Sequence, residues 1–262
     1  MQTLIGKKSY LTAGILILFS SKAISQTEWQ NWNGINVNAS LTKKAGVSVG
    51  HTRSYNISEK YKNQFNQTAI QFSYEITKKW DVFGGVQFIS PASKRDVRTR
   101  LHVRAAHTTR LSKKVNWTNS LRFETNSKNE NRFRQRVAVS TRLSLRKRLD
   151  FLNLAPSLSY TLFYNMGGNP INYYDKTGAL ISNQTPDGFH RSRFTATLNS
   201  KINDYLRVSL YYMRQQEFNF LSKETRSMNV YNPVTQKISR PFNNFNCIGL
   251  TASVSLDPLI NN

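Results

Sequence analysis

From about residue 30 onward the chain alternates apolar and polar positions with period two. Ile35, Val37, Ala39 and Leu41 interleave with Asn36, Asn38 and Ser40. Ile70, Phe72, Tyr74 and Ile76 interleave with Gln71, Ser73 and Glu75. Further on, Trp117, Leu121 and Phe123 alternate with Thr118, Ser120, Arg122 and Glu124, and Val137, Val139, Leu143 and Leu145 with Ala138, Ser140, Arg142 and Ser144. A period of two places one set on each face of an extended strand, and helical spacing fits none of these stretches. The pattern predicts strands near 32–41, 45–54, 65–77, 80–89, 99–111, 115–125, 132–145, 151–164, 190–200, 205–218 and 243–256.

A repeat separates the strands. Leu41-Thr42-Lys43-Lys44-Ala45, Ile76-Thr77-Lys78-Lys79-Trp80, Leu111-Ser112-Lys113-Lys114-Val115 and Leu145-Arg146-Lys147-Arg148-Leu149 begin 35, 35 and 34 positions apart. Leu198 to Tyr205 is a weaker fifth copy. Each unit reads as a hairpin with a tight basic turn. The remaining connections, 55–64, 90–98, 126–131, 165–189 and 219–242, are mostly longer. The two longest carry Gly167, Gly168, Pro170, Gly178, Pro186 and Gly188, and Pro233 and Pro241. Short turns on one rim and long loops on the other are the pattern of an outer-membrane barrel. The expected fold is all-β, an antiparallel up-and-down transmembrane barrel of about 10–12 strands. The eleven segments would put the chain ends on opposite rims, so an even number, ten or twelve, is the expectation.

The N-terminus changes the compartment. Lys7 and Lys8 precede the apolar run Leu11 to Phe19, and Ala23-Ile24-Ser25 supplies small residues at a cleavage site. Residues 1–25 therefore read as a signal peptide and 26–262 as the barrel. That run is too short to cross a bilayer as a helix.

Charge first suggests a polyanion partner: 37 Lys and Arg stand against 14 Asp and Glu, a net +23. The distribution argues otherwise. The cations divide between the turns and the polar face of the strands, no nucleic-acid motif is present, and a secreted chain is the wrong context. The strand parity assigns Arg100, Arg104, Arg122, Arg134, Arg136, Arg142, Arg193 and Arg207 to the interior. A dry sandwich core could not bury so many arginines, whereas a wet lumen can. Aromatics on the apolar face gather near strand ends, Trp80 and Trp117 beside the turns, Phe88, Phe133, Tyr164 and Tyr212 toward the loops. That distribution resembles two interfacial girdles. A soluble sandwich or lipocalin-like barrel is the competing architecture.

Trp29, the strand–turn–strand unit from Leu41 to Val49, Arg53, and the Arg-rich strands at 98–110 and 132–148 together resemble an outer-membrane barrel family known as domain of unknown function 2490. The sequence departs from that family near 98–104, where arginine replaces part of an expected Glu-x-Arg. The resemblance covers nearly all of the mature chain. It implies a fold and a bacterial outer-membrane location, and no activity.

Candidate chemistry is sparse. His102 falls on the inner face and His107 on the outer, so their common strand cannot bring them to one metal. His51 and His190 add no ligand spacing, and no G-x-S-x-G is present. No catalytic residue, metal or cofactor is expected. Cys247, the lone cysteine, shares the inner parity of Gly249 and Thr251 and reads as a small lumen residue. Gly84, Gly85 and Gly249 suggest bends or close packing. Glu75 and Glu124 are expected to cross-link lumen arginines. Three functions remain open: a closed structural or interaction barrel, which is preferred; an anion-favouring pore or anion-binding barrel; and a lipid-acting enzyme. Expected partners are outer-membrane lipid and a small anionic solute.

Overall fold

The computed structural model describes residues 28–93 and 96–257. The expected signal peptide lies outside them. Eleven long strands form one closed barrel: β1 (Glu28–Ser40), β2 (Ala45–Asn56), β3 (Lys62–Thr77), β4 (Trp80–Pro91), β5 (Arg98–Arg110), β6 (Val115–Asn126), β7 (Gln135–Leu145), β8 (Leu154–Met166), β11 (Gly188–Lys201), β12 (Leu206–Phe220) and β15 (Phe245–Ser255). Two small hairpins stand apart from the wall, β9 (Ile171–Tyr174) with β10 (Leu180–Gln184), and β13 (Val230–Asn232) with β14 (Lys237–Ser239). They occupy the two longest loops, where the sequence predicted no strands.

The expectation of an even count is wrong. In a meander each strand reverses the last, so an odd number brings first and last strands together in the same direction. The barrel accordingly closes through a parallel pair, β1 with β15, in register from Glu28 against Phe245 to Asn38 against Ser255. Every other pair in the wall is antiparallel. β1 starts at the loop rim and β15 ends at the turn rim.

The tightness of the turns comes from the position before the lysines. Thr42 Oγ1 accepts from the backbone N–H of Lys44 (3.2 Å) and Ala45 (2.9 Å). Thr77 Oγ1 does the same for Lys79 and Trp80, and Ser112 Oγ for Lys114 and Val115. Asn203 Oδ1 serves the fifth turn through Tyr205 and Leu206. A hydroxyl or amide that accepts two local N–H groups closes a short turn. Arg146 holds this place in the fourth copy and cannot accept. There the connection widens to 146–153, with a 3₁₀ turn at Phe151–Asn153 and Leu152 and Asn153 at positive φ. The predicted start of β8 at 151 therefore moves to Leu154.

The wall is inverted relative to a water-soluble barrel. Ile35, Val49, Phe72, Leu101, Val103, Leu121, Val139, Leu158 and Leu250 point outward and are exposed. The interior carries the polar set. Apolar burial in the lumen includes a small cluster of Met213, Phe245 and Cys247 against Trp32 and Tyr211, with Ala106, Phe133, Ala138 and Phe163 buried elsewhere. The Tyr211 ring crosses directly above Gly249, where any Cβ would collide with it.

Candidate functional site

The barrel interior encloses a cavity of about 770 Å³. Its two halves differ. On the turn side, Ala106, Thr108, Thr118, Ser120, Ser140, Ser159 and Thr195 line it, and Arg142 is exposed within it. These side chains are too short to fill a barrel of this girth. Among the described residues, the largest fully buried side chains, Arg136, His190, Gln215, Glu124, Asn56, Cys247 and Ser54, all lie on the loop side. The lumen is thus roomy toward the turns and packed toward the loops.

Glu124 organises the packed half. It forms ion pairs with Arg122, with Arg136, whose Nε donates to Oε2 at 2.7 Å, and with Arg100 at 3.7 Å. Arg136 lies between the rings of Phe133 (4.8 Å) and Phe163 (4.5 Å). Glu217 forms a second centre with Arg191 and with Arg132 (2.8 Å), and Glu130 pairs with Arg98 (3.1 Å). Buried carboxylates ringed by guanidinium groups satisfy charge that could not otherwise leave water.

Above this network the loops knit into a cover. Arg132 also donates to Pro241 O at 3.1 Å, and Arg240 to Asn169 O at 2.8 Å and to Asn131 O. Gln215 Nε2 donates to Asn243 O, and Asn243 N to Glu217 Oε2. Tyr173 Oη donates to Ser227 O at 2.9 Å. Burial pushes the Tyr173 hydroxyl up to about 12. These contacts draw the loops together over one rim of the interior.

Six of the arginines singled out in the sequence, Arg100, Arg104, Arg122, Arg136, Arg142 and Arg193, line this chamber. Arg134 does not. It precedes β7, where the chain bends and the parity resets, so Phe133 turns inward instead and is buried beneath Arg136. The outer aromatic girdle expected to include Phe133 loses that member. Arg207 keeps inner parity in register with Ser253, but sits exposed at the turn rim. Arg98 and Arg191 complete the lining. Both share the parity of predicted neighbours, and a strand drawn one residue longer would have caught Arg98.

Three chamber arginines have no carboxylate among the described residues in ion-pair reach. Arg104 rests on the Phe83 ring at 3.9 Å, Arg142 donates to Ser157 Oγ at 3.2 Å, and Arg193 to Gln215 Oε1 at 2.9 Å. Glu75 makes no ion pair with any described arginine. It faces Asp81 across β3 and β4 at the turn rim, so only Glu124 of the two predicted cross-linkers braces the wall. His102 is buried among the arginines, and His107 points out and stacks on Trp80 at 4.6 Å. Among the described residues no group of three or more His, Cys, Asp or Glu could hold a metal ion.

No curated protein matches the chain. Among solved structures, the crystal structure of the NanC porin in a rhombohedral form is similar at 11% identity and a TM-score of 0.43, over 68% of this chain and 78% of that one. The family model for Protein of unknown function (DUF2490) matches residues 29–226, most of the sequence, and the chain belongs to that family.

Proposed function

We propose that the protein is a bacterial outer-membrane barrel that holds a small anionic solute in a blind, arginine-lined interior, entered from the turn rim. The exposed apolar outer wall supports membrane insertion, because a surface of that kind is stable only against hydrocarbon. Short turns belong to the periplasmic side of such barrels. The observation that carries the reading is the chamber itself: eight arginines line it, and Arg104, Arg142 and Arg193 are left over after Glu124, Glu130 and Glu217 pair with the other five among the described residues. A positive field in a low-dielectric shell favours anions. The covered loop rim supports retention over free conduction, and no catalytic constellation is proposed.

Titration of citrate into the detergent-purified protein tests this. Saturable binding, weakened about tenfold or more in Arg104→Gln/Arg142→Gln, is the expected result. Equal affinity in wild type and variant, no binding at all, or a large steady cation-selective conductance in planar bilayers would each overturn it.

A further inference from the structure

On one half of the outer wall the step nearest the loops is polar, which a membrane barrel should avoid. Counting outward-facing residues from the turn rim, the fifth on β4 to β8 is Phe88, Leu101, Phe123, Val137 and Leu162 in turn. On the contiguous strands β12, β15, β1, β2 and β3, which flank and include the parallel closure, the same step is Arg214, Asn246, Asn31, Arg53 and Thr68. The apolar band is therefore shorter on this half. The cross-strand register groups the polar side chains. Arg214 lies opposite Asn246, and Arg53 lies between Asn33 and Asn66.

Arg53 is exposed and makes no hydrogen bond or ion pair with any described residue. Asn246 is largely covered, and its Oδ1 accepts from Tyr212 Oη at 2.8 Å. Each arginine thus stands beside an asparagine on a neighbouring strand. No Asp or Glu occupies an outward position on these five strands. A guanidinium against hydrocarbon is costly, increasingly so with depth.

We propose that this half of the wall binds the phosphate headgroups of anionic lipids, one at Arg53 and one at Arg214. Charge complementarity selects the occupant. A phosphate supplies the anionic oxygens that neither the two arginines nor the neighbouring neutral amides carry. A second copy of the chain would set cation against cation with no carboxylate between. The acyl chains would lie along the apolar steps below, Ile35, Val49 and Leu250. This site is on the outer surface and does not depend on the reading of the interior.

Native mass spectrometry of the detergent-purified protein tests it, with phosphatidylglycerol as the anionic probe and phosphatidylcholine as the zwitterionic one. The wild type should retain up to two phosphatidylglycerol molecules in preference to phosphatidylcholine. Arg53→Gln should remove one of them and lower apparent affinity about fivefold, with Arg214→Gln removing the other. Arg53→Lys should restore most of the binding. Heat-dependent gel mobility of each variant reports that the barrel is intact. Equal retention of the two lipids, retention unaffected by the double substitution, or a dimer mass in place of lipid adducts would overturn the proposal.

Discussion

Glu124 and Arg136 face each other in register across β6 and β7, 2.7 Å apart, with neither side chain more than 2% exposed. A pair so deep in the barrel joins the wall from inside. Removing one partner of a buried pair costs about 3–5 kcal/mol, because the other is left charged and unsolvated. Glu124→Gln, which strands three arginines, should fall in that range and lower the urea midpoint of the vesicle-reconstituted protein. An unchanged midpoint would mean that water reaches these arginines.

The two halves of the lumen should differ in access to water. Cysteine at Arg142 should react rapidly with a membrane-impermeant, water-soluble thiol reagent, and cysteine at Arg136 should not. Cysteine at Val103, on the outer face, should be protected in bilayers. Native Cys247 is fully buried and should be silent in all of these. Rapid labelling at Arg136 and none at Arg142 would reverse the assignment of the open side.

Opening the cover should convert the chamber into a channel. Arg132 ties Glu217 to the Pro241 carbonyl, and Arg240 ties two loops through Asn131 and Asn169. Arg132→Ala/Arg240→Ala should raise single-channel conductance above that of the wild type, with anions preferred. A conductance that stays at the wild-type level would show that the Glu124 network alone closes the lumen.

The alternation made the wall legible, since a period of two survives every detail of register. Leu143 and Arg142 were placed on opposite faces without any knowledge of neighbours. What alternation cannot see is where the count restarts. Phe133 and Arg134 exchanged faces because the chain bends before β7, and nothing in their identities marks that bend. The fourth turn misled for a related reason: Arg146-Lys147-Arg148 preserves the charge of the repeat and loses its acceptor. Glu217 was missed although it shares inner parity with Arg207, and its role depends on Arg132 and Asn243 arriving from distant loops.

The turns at Lys43-Lys44, Lys78-Lys79 and Lys113-Lys114 share one rim, opposite the 57–61 connection. A protease-cleavable tag between Lys78 and Lys79 should survive protease treatment of intact cells, and one at Lys60 should be cut. The opposite pattern would put the basic turns outside the cell and reverse the entry side of the chamber.

The parallel seam also governs the order in which the molecule can form. Hairpins from β1 through β8 join strands adjacent in sequence and can zip locally as chain emerges. The last joint is different in kind: Glu28 must find Phe245 after the intervening chain is in place. Ring closure over such a span adds entropy only slowly with length, so the thermodynamic penalty is modest. The kinetic exposure is not. Until β15 arrives, β1 and β12 are both bare edges with unpaired N–H and C=O groups, open to any extended strand nearby. The same β1 edge carries Asn31 and Asn33 outward, and polar outward residues keep a waiting edge from sticking to apolar surfaces while the ring is still incomplete.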